Sequence, residues 1–336
     1  MDAASEKPLF EVDLSGLQGA ACCLCRTADC RLLFHIAQFQ IVRCNRCGLV
    51  YLTPQVPSDK LSGIYQETYW ASPAAKDLGY TDYLGDRDLY RRTFRRRLER
   101  HVLPHVRRGR LLDVGCAAGL FLQEASRAGF EAAGVDVSRP MVEFARKELQ
   151  LEHVALGTLQ DCRFADGAFD VVTLWDVVEH VPDPPELLRE VRRVMSRDGY
   201  LILETQNERS LFARLMGRRW HHYKVPEHLF HFGPETCARL LRETGFDVVS
   251  WTSRNAGKFV PLSFVIERSA RVSRFLPKLL APLAALGQTR LYVNLFDEMV
   301  FIARPTGTPA SAGVAPSQSA APHVLRADRC ERPAAA

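Results

Sequence analysis

The sequence lacks the features that would assign it to a membrane or secreted class. No apolar run reaches the roughly 18 residues of a membrane-spanning helix. Its start, M-D-A-A-S-E-K-P, has no basic segment followed by an apolar stretch, so we expect no signal peptide. The net charge is only +5 over 336 residues, so charge alone does not indicate a nucleic-acid partner. With 47% hydrophobic residues the chain can build a large core, and we expect a cytoplasmic protein.

A dinucleotide-binding G-x-G-x-x-G is also missing from the stretch around which the chain is organised. Residues 110–119 read R-L-L-D-V-G-C-A-A-G, with only Gly115 and Gly119 as glycines. An apolar run ends at Val114, a turn of small residues follows, and a helix is predicted to continue to Gly129. This strand, turn and helix predict the first unit of a parallel sheet, with a ligand at the carboxyl ends of the strands.

Two acidic residues indicate which ligand this is. Asp113 precedes the first glycine, where it suits an ammonium group better than a pyrophosphate. The next apolar run ends in Asp136, where a carboxylate can accept both hydroxyls of a ribose. S-adenosylmethionine has both an amino-acid end and a ribose. The predicted contacts to it are Asp113, Gly115, Cys116, Ala117 and Gly119 at the methionine end, Asp136 at the ribose, and Val137 beside the adenine.

Four segments in order resemble a class I S-adenosylmethionine-dependent methyltransferase, and the core is similar to the ubiquinone-pathway and type 11 and 23 groups. They are L-L-D-V-G-C-A-A-G (111–119), G-V-D-V-S (134–138), F-D-V-V-T-L-W-D-V-V-E-H-V-P-D-P (169–184) and V-R-R-V-M-S-R-D-G-Y-L-I-L-E-T (191–205). Ala117 replaces the usual middle glycine, and Asp198 replaces the first glycine of a usual pair. The resemblance implies that Thr158 and Leu159 line the adenine pocket. Trp175 and Asp176, after the fourth strand, are expected to complete its floor.

Strands and helices alternate from residue 110 onwards, which predicts an α/β fold with a doubly wound sheet. The resemblance implies seven strands, mostly parallel, with the last strand, 298–304, antiparallel. The predicted organisation is a flexible arm (1–19), a zinc-ribbon module (20–55), a helical linker or lid (56–108), a methyltransferase domain (109–304) with an inserted cover (255–296), and a disordered tail (305–336). The cover is either a lid over the substrate or a membrane-contacting surface.

Two C-x-x-C pairs predict a structural zinc site in the N-terminal module. Its ligands are Cys22, Cys25, Cys44 and Cys47, with 18 residues between the pairs. Four thiolates close a tetrahedral shell, so no position is left for chemistry. Cys23 is the alternative to Cys22. The stretches 44–54 and 61–70 resemble the zinc-ribbon N-terminus of a group of bacterial methyltransferases, and their aromatic residues either form a lid or pack the ribbon onto the main domain.

Residues 82–106 are predicted to form one helix with an apolar stripe on one side. The opposite side carries Arg91, Arg92, Arg95, Arg96, Arg97 and Arg100. Such a face either contacts phosphate groups or is a solvated surface. An RNA methyltransferase is therefore one alternative function.

The candidate catalytic residues are Glu179, His180 and His228. In one interpretation, His180 or His228 is a general base for a hydroxyl acceptor. In a second, these residues and Asp176 bind a divalent metal, as related D/E-x-x-E-H patterns do in ubiquinone-pathway O-methyltransferases. In a third, Glu179 and His180 brace the loop. Residues 220–235 hold four histidines, which indicates either a polar acceptor pocket or a segment that packs against the core before a helix starting at Pro234.

Together these features predict an S-adenosylmethionine-dependent methyltransferase acting on a small molecule, with O-methylation of a sugar or secondary metabolite as the expected reaction. The alternatives are an RNA methyltransferase and a non-catalytic binding module that keeps the fold.

Overall fold

A computed structural model describes residues 14–65, 67–71, 80, 82–269, 275–287 and 289–307. Most of the predicted N-terminal arm and nearly all of the predicted C-terminal tail lie outside the described residues. In the part of the chain that is described, no helix is both long and apolar enough to cross a membrane.

The strands fall into an N-terminal group, a central group and a late hairpin. In chain order they are β1 (Cys30–Ile36), β2 (Phe39–Cys44), β3 (Val50–Thr53), β4 (Gly109–Val114), β5 (Phe130–Asp136), β6 (Val154–Leu156), β7 (Phe169–Trp175), β8 (Met195–Gln206), β9 (Phe230–His231), β10 (Phe246–Thr252), β11 (Lys258–Pro261), β12 (Arg290–Val293) and β13 (Glu298–Pro305).

The α-helices connect these strands. They are α1 (Ser58–Leu61), α2 (Glu67–Trp70), α3 (Arg87–Arg97), α4 (Leu120–Arg127), α5 (Arg139–Lys147), α6 (Leu159–Cys162), α7 (Pro184–Val194), α8 (Leu211–Met216), α9 (Pro234–Glu243), α10 (Leu262–Ser269) and α11 (Leu276–Leu280). Short 3₁₀ turns occupy Ser62–Tyr65, Gly217–Arg219 and Ala281–Leu286, and a π-helical turn occupies Leu98–Val102.

The central sheet has seven strands in the order β10-β13-β8-β7-β4-β5-β6. β4 to β8 are mutually parallel, and β13 runs antiparallel to both β8 and β10. The predicted α/β fold class, with its reversed last strand, is therefore confirmed. Because β13 is reversed, its first residues lie at the edge where the parallel strands end.

Helices cover both faces of this sheet. Alternate residues of one strand point to opposite faces, and accordingly Leu111 and Leu112 of β4 belong to different buried apolar clusters. The cluster of Leu111 includes Phe121 from α4, while that of Leu112 includes Leu188 from α7. The buried side chains of both clusters hold the sheet between its helices, and this packing positions the strand ends that form the site.

The N-terminal ribbon shares a sheet with the main domain. β1, β2 and β3 form an antiparallel meander, and β9 adds to its edge through the pairs Val50–His231 and Tyr51–Phe230. The N–H of Leu52 also donates to the carbonyl of Leu229 at 2.9 Å. The ribbon predicted at 20–55 is therefore completed by a strand from far along the chain.

The helix predicted over 82–106 is shorter than expected. Asp82 opens a turn instead, because its carboxylate accepts the N–H of Gly85 at 2.7 Å. The helix proper is α3, and the π-helical turn that follows it carries the chain towards β4.

The predicted arginine face of this helix is not a single outer surface. Arg97 is only 3% exposed, Arg95 pairs with Glu124 at 2.8 Å, and the Arg96 guanidinium lies 4.3 Å from the ring centre of Tyr292. Arg96 and Arg97 therefore contact the protein itself, whereas Arg92, Arg95 and Arg100 remain exposed, so only part of the predicted face could meet phosphate groups.

The cover predicted over 255–296 begins and ends as a hairpin of β11 and β12. α10, α11 and the 3₁₀ turn of Ala281–Leu286 lie between these strands. Phe264 and Val265 of α10 line the cavity described below. The arginines at 271 and 274 lie outside the described residues.

Candidate active site

A cavity of about 920 Å³ opens at the carboxyl edge of the central sheet. It brings together most of the residues predicted to bind the cofactor or to act in catalysis. Those that line it are Asp113, Gly115, Cys116, Ala117, Asp136, Val137, Thr158, Leu159, Trp175, Asp176, Glu179, His180 and His228. These residues come from the ends of four neighbouring strands and from the segment after β8.

Asp113 lies near the end of β4 and is 2% exposed. Thr173 of β7 is its register partner, and the Thr173 hydroxyl donates to Asp113 Oδ1 at 2.6 Å. Burial raises the pKa of Asp113 to about 8. A nearby ligand cation would favour the ionised form, so the position suits an ammonium group.

Asp136, the last residue of β5, is fixed by two backbone donors. Its Oδ2 accepts the N–H of Ala117 at 2.7 Å, and its Oδ1 accepts the N–H of Ser138 at 2.8 Å. Burial nevertheless raises the pKa of Asp136 to about 6. Each carboxylate oxygen retains a second lone pair, which a ligand hydroxyl can use.

The turn after β4 uses its glycines differently from the prediction. Gly115 and Gly119 both have φ of +73°, and Ala117 has φ of +46°. A Cβ on Gly115 would lie 2.6 Å from Val177 Cγ2. A glycine here therefore allows both the positive φ of the turn and the close packing of the Val177 side chain.

Gly119 was predicted to contact the cofactor, but the structure places it elsewhere. Among the described residues it does not line the cavity; it caps α4, where a Cβ would lie 2.5 Å from Leu151 Cδ1. Its role is packing.

The residues predicted to surround the adenine lie at the start of α6. The Thr158 hydroxyl accepts the N–H of Asp161 at 3.3 Å, and the Asp161 carboxylate accepts the N–H of Thr158 at 3.1 Å. This capping box fixes Leu159 and Gln160 against the cavity. Sequence reasoning missed Gln160, although it directly follows the two predicted residues.

Asp176 belongs to a buried network of charges that the sequence did not reveal. Arg97 pairs with Glu204 and lies 3.5 Å from Asp176, while Lys258 lies 3.2 Å from Asp176 and 2.7 Å from Glu298. Burial opposes ionisation of Asp176, but Lys258 and Arg97 outweigh it, so its pKa is lowered. The two cations occupy Asp176, which argues against its predicted part in a metal site with Glu179 and His180.

The turn that follows β7 carries His180. Residues 176–180 form a turn rather than a helix, with the N–H of His180 donating to the carbonyl of Val177 at 2.9 Å. His180 Nδ1 lies 3.0 Å from the carbonyl oxygen of Glu227 and 3.1 Å from the hydroxyl of Tyr65. A carbonyl only accepts, so Nδ1 carries the proton and Nε2 is left as the basic atom. Burial lowers the pKa of His180, which favours this neutral form.

Glu179 and His228 flank His180. The ring of His228 lies 4.5 Å from that of His180, and burial lowers the pKa of His228 well below its usual value. Glu179 Oε2 accepts from the Thr205 hydroxyl at 2.9 Å, and the Glu179 carbonyl accepts the N–H groups of Leu229 and Phe230. The two backbone bonds hold the segment 228–230 against the turn of residues 176–180. One ligand atom of each of Glu179, His180 and His228 lies within 4.8 Å of the others.

The aromatic linker both lines the cavity and packs against the main domain. Tyr65 and Trp70 are part of the cavity lining, and the Trp70 indole donates to Ser138 Oγ at 2.9 Å. Tyr69 donates to Glu227 at 2.5 Å. The segment therefore packs onto the main domain, as one of the two alternatives predicted, and also forms part of the cavity wall.

The four predicted zinc ligands come together in the ribbon. One sulfur atom of each of Cys22, Cys25, Cys44 and Cys47 lies within 4.8 Å of the others, and Cys22 Sγ is 3.5 Å from Cys47 Sγ. Sulfurs bound to one tetrahedral zinc at about 2.3 Å lie about 3.8 Å apart, so this arrangement fits the ion. Cys23, the alternative to Cys22, is not a member of the group.

The chain is similar to known methyltransferases. Residues 86–251 match a family described as a methyltransferase domain. A ubiquinone biosynthesis O-methyltransferase from Cereibacter sphaeroides is 30% identical over 172 residues, which cover 48% of this chain and 68% of the relative. One from Xanthomonas oryzae pv. oryzae is 31% identical over 131 residues, which cover 34% of this chain and 55% of the relative. The chain thus spans little more than half the length of the Xanthomonas relative.

Among solved structures, a SAM-dependent methyltransferase from Archaeoglobus fulgidus is similar, with a TM-score of 0.46 and 24% identity. The match covers 66% of this chain and 98% of that chain.

Proposed function

Because the chain belongs to the S-adenosylmethionine-dependent methyltransferase family, we propose that it methylates an oxygen of a small molecule, a sugar or a secondary metabolite. One observation carries this proposal: Asp113, Asp136 and His180 line the same cavity. A cofactor held by the two carboxylates and an acceptor beside the histidine would share one enclosure. The reduced thiols of a zinc ribbon agree with a cytoplasmic location.

In the proposed arrangement, Asp113 binds the ammonium group of the cofactor and Asp136 binds its ribose. Val137, Thr158 and Leu159 enclose the adenine. The cofactor supplies an electrophilic methyl group on a sulfonium. Most of the catalytic effect then comes from alignment and exclusion of water.

His180 accepts the proton of the acceptor hydroxyl. The cofactor's methyl group would pass from sulfur to the acceptor oxygen, and His180 Nε2 would take the hydroxyl proton. Tyr65 and the Glu227 carbonyl hold the ring in the required tautomer. Glu179 positions the segment of His228 through its backbone and Thr205 contacts.

Binding and turnover measured on matched variants test this assignment. Calorimetry with S-adenosylmethionine should show binding that weakens about 10- to 100-fold in Asp113→Asn, because a charge-assisted hydrogen bond is lost. Asp198→Asn is the control, since Asp198 is exposed at the opposite end of β8. A folded wild-type protein that gives no binding heat would favour the non-catalytic module.

The same variants separate binding from chemistry. Transfer of labelled methyl groups to a panel of sugars and hydroxylated metabolites should fall about 100- to 10,000-fold in His180→Ala, with cofactor affinity preserved. His228→Ala should reduce methyl transfer less than His180→Ala does, because it removes only the ring next to the proposed base. Full turnover in His180→Ala would exclude this histidine as the base.

A further inference from the structure

A second group of histidines and carboxylates lies in the wall of the same cavity. His221 and His222 follow the 3₁₀ turn after α8, and Asp297 directly precedes β13. All three residues line the cavity. They meet because β13 is antiparallel, which brings its start to the edge where β8 ends.

The distances within this group do not suit direct hydrogen bonds. Asp297 Oδ2 lies 3.6 Å from His221 Nε2 and 3.8 Å from His222 Nε2. Nitrogen–oxygen hydrogen bonds are about 2.7–3.2 Å long. Ligand atoms bound at about 2.0–2.2 Å around one ion lie about 3 to 3.6 Å apart. The two distances to Asp297 are close to that spacing, and one ligand atom of each of the three residues lies within 4.8 Å of the others, so small side-chain shifts would place them around a metal.

His222 gives an independent indication that a ligand belongs here. The residue is 7% exposed, and its Nε2 has no hydrogen-bond partner among the described residues. This same atom faces both Asp297 and Glu298, at 3.8 and 3.7 Å. Buried polar atoms are nearly always satisfied, because leaving one without a partner costs the full desolvation penalty of that group.

The surroundings of Asp297 also suit a cation. Trp220 Nε1 donates to Asp297 Oδ2 at 2.8 Å, which orients the carboxylate as an outer-shell partner would. Lys258, the nearby cation, instead contacts Asp176 and Glu298. Within the described part of the chain, no lysine or arginine forms an ion pair with Asp297.

We propose that His221, His222 and Asp297 bind one first-row divalent metal ion, such as Mn²⁺, Fe²⁺ or Zn²⁺. Two imidazoles and one carboxylate suit this class of ion, and three protein ligands leave coordination positions open towards the cavity. This site is separate from the four thiols of the ribbon and from the group of Glu179, His180 and His228. Its existence does not depend on methyl transfer.

Manganese binding by the full chain, with the ribbon first loaded with zinc, tests the proposal. Mn²⁺ prefers oxygen and nitrogen ligands, so it should leave the four thiols alone. Electron paramagnetic resonance and equilibrium dialysis should show one bound Mn²⁺ per chain. The affinity should fall more than about tenfold in His222→Ala and in Asp297→Asn. Asp297→Asn keeps an oxygen acceptor for Trp220, so it should remain folded, as circular dichroism would check.

His228→Ala is the matched control, because His228 lies close by in the other histidine group. Mn²⁺ affinity in this variant should stay within about twofold of wild type. Loss of Mn²⁺ in His228→Ala but not in His222→Ala would assign the ion to the other group and overturn the proposal. A wild-type chain that binds neither Mn²⁺ nor a second Zn²⁺ would also overturn it.

Discussion

Asp113 and Glu179 are buried carboxyl groups on two adjacent strand ends. Burial raises the pKa of each to about 8, and Thr173 and Thr205 only partly offset it. Both groups therefore hold a proton in the free folded protein at pH values where the unfolded chain has released it. A bound cation would favour ionisation of Asp113, so ligand binding and proton release at this residue are linked.

The free energy of unfolding should consequently fall as the pH rises from about 4 to about 8. In that window the folded state binds more protons than the unfolded state, and each such group contributes a slope of up to about 1.4 kcal/mol per pH unit. In Glu179→Gln the free energy of unfolding should depend less steeply on pH, because glutamine keeps an acceptor for Thr205 but does not titrate. Urea unfolding at several pH values measures it.

The control for this measurement is the exposed Glu152. Glu152→Gln should leave the pH dependence as in wild type. Identical slopes in wild type and Glu179→Gln would show that Glu179 is ionised in the folded protein.

Residues near the end of a recognisable strand could be predicted from the sequence to lie at the site. Asp113 and Asp136 both line the cavity, because Asp113 is the penultimate residue of one parallel strand and Asp136 is the last residue of another. Arg97 and Lys258 were missed because their partners are remote in the chain; Arg97 and Glu204 are 107 residues apart. In a helix with six arginines, the sequence offers no signal that distinguishes the buried one.

Among the secondary-structure elements, β9 has the largest effect on how the ribbon is attached. It has only two residues, yet it pairs with β3 and continues directly from the histidine segment that lines the cavity. So short a strand has no periodicity that a sequence pattern can reveal. The sequence therefore predicted a ribbon and a core but not the sheet that joins them.

Loss of zinc should loosen this short strand. The double variant Cys44→Ser/Cys47→Ser should bind no zinc, and amide exchange at Leu52 should accelerate, because its N–H donates to Leu229 beside β9 and β3 loses its anchor. Amides of Leu112 and Val114 in β4 serve as the internal control and should stay protected. If Leu52 exchanges at the wild-type rate, β3 and β9 remain paired without the metal.

At the scale of the whole molecule, ion pairs reinforce the link between ribbon and core. Arg43 pairs with Glu208 at 3.1 Å, with side-chain exposures of only 16% and 5%. Arg26 pairs with Asp183 at the same distance, but its side chain is 57% exposed. Burial makes the first pair the more consequential, since exposed pairs contribute little.

Ribbon and core should therefore unfold together. Zinc release to a chelating dye and loss of far-ultraviolet circular dichroism should share one thermal midpoint. Arg43→Gln should lower that midpoint, because it leaves the buried Glu208 with only the more exposed Arg209 as a cationic partner, whereas Arg26→Gln should change it little. Zinc release well below the main transition would mean that the ribbon unfolds independently.

The pairing of β3 with β9 also constrains protein engineering. A graft of residues 14–55 onto another enzyme would leave β3 as an open sheet edge and strip Tyr51 and Leu52 of their neighbours Phe230 and Leu229. A transplantable unit must include Leu229–His231 as well, so it consists of two pieces separated by more than half of the chain. Recombination at the apparent junction near residue 56 would yield chimeras prone to associate through that uncovered strand.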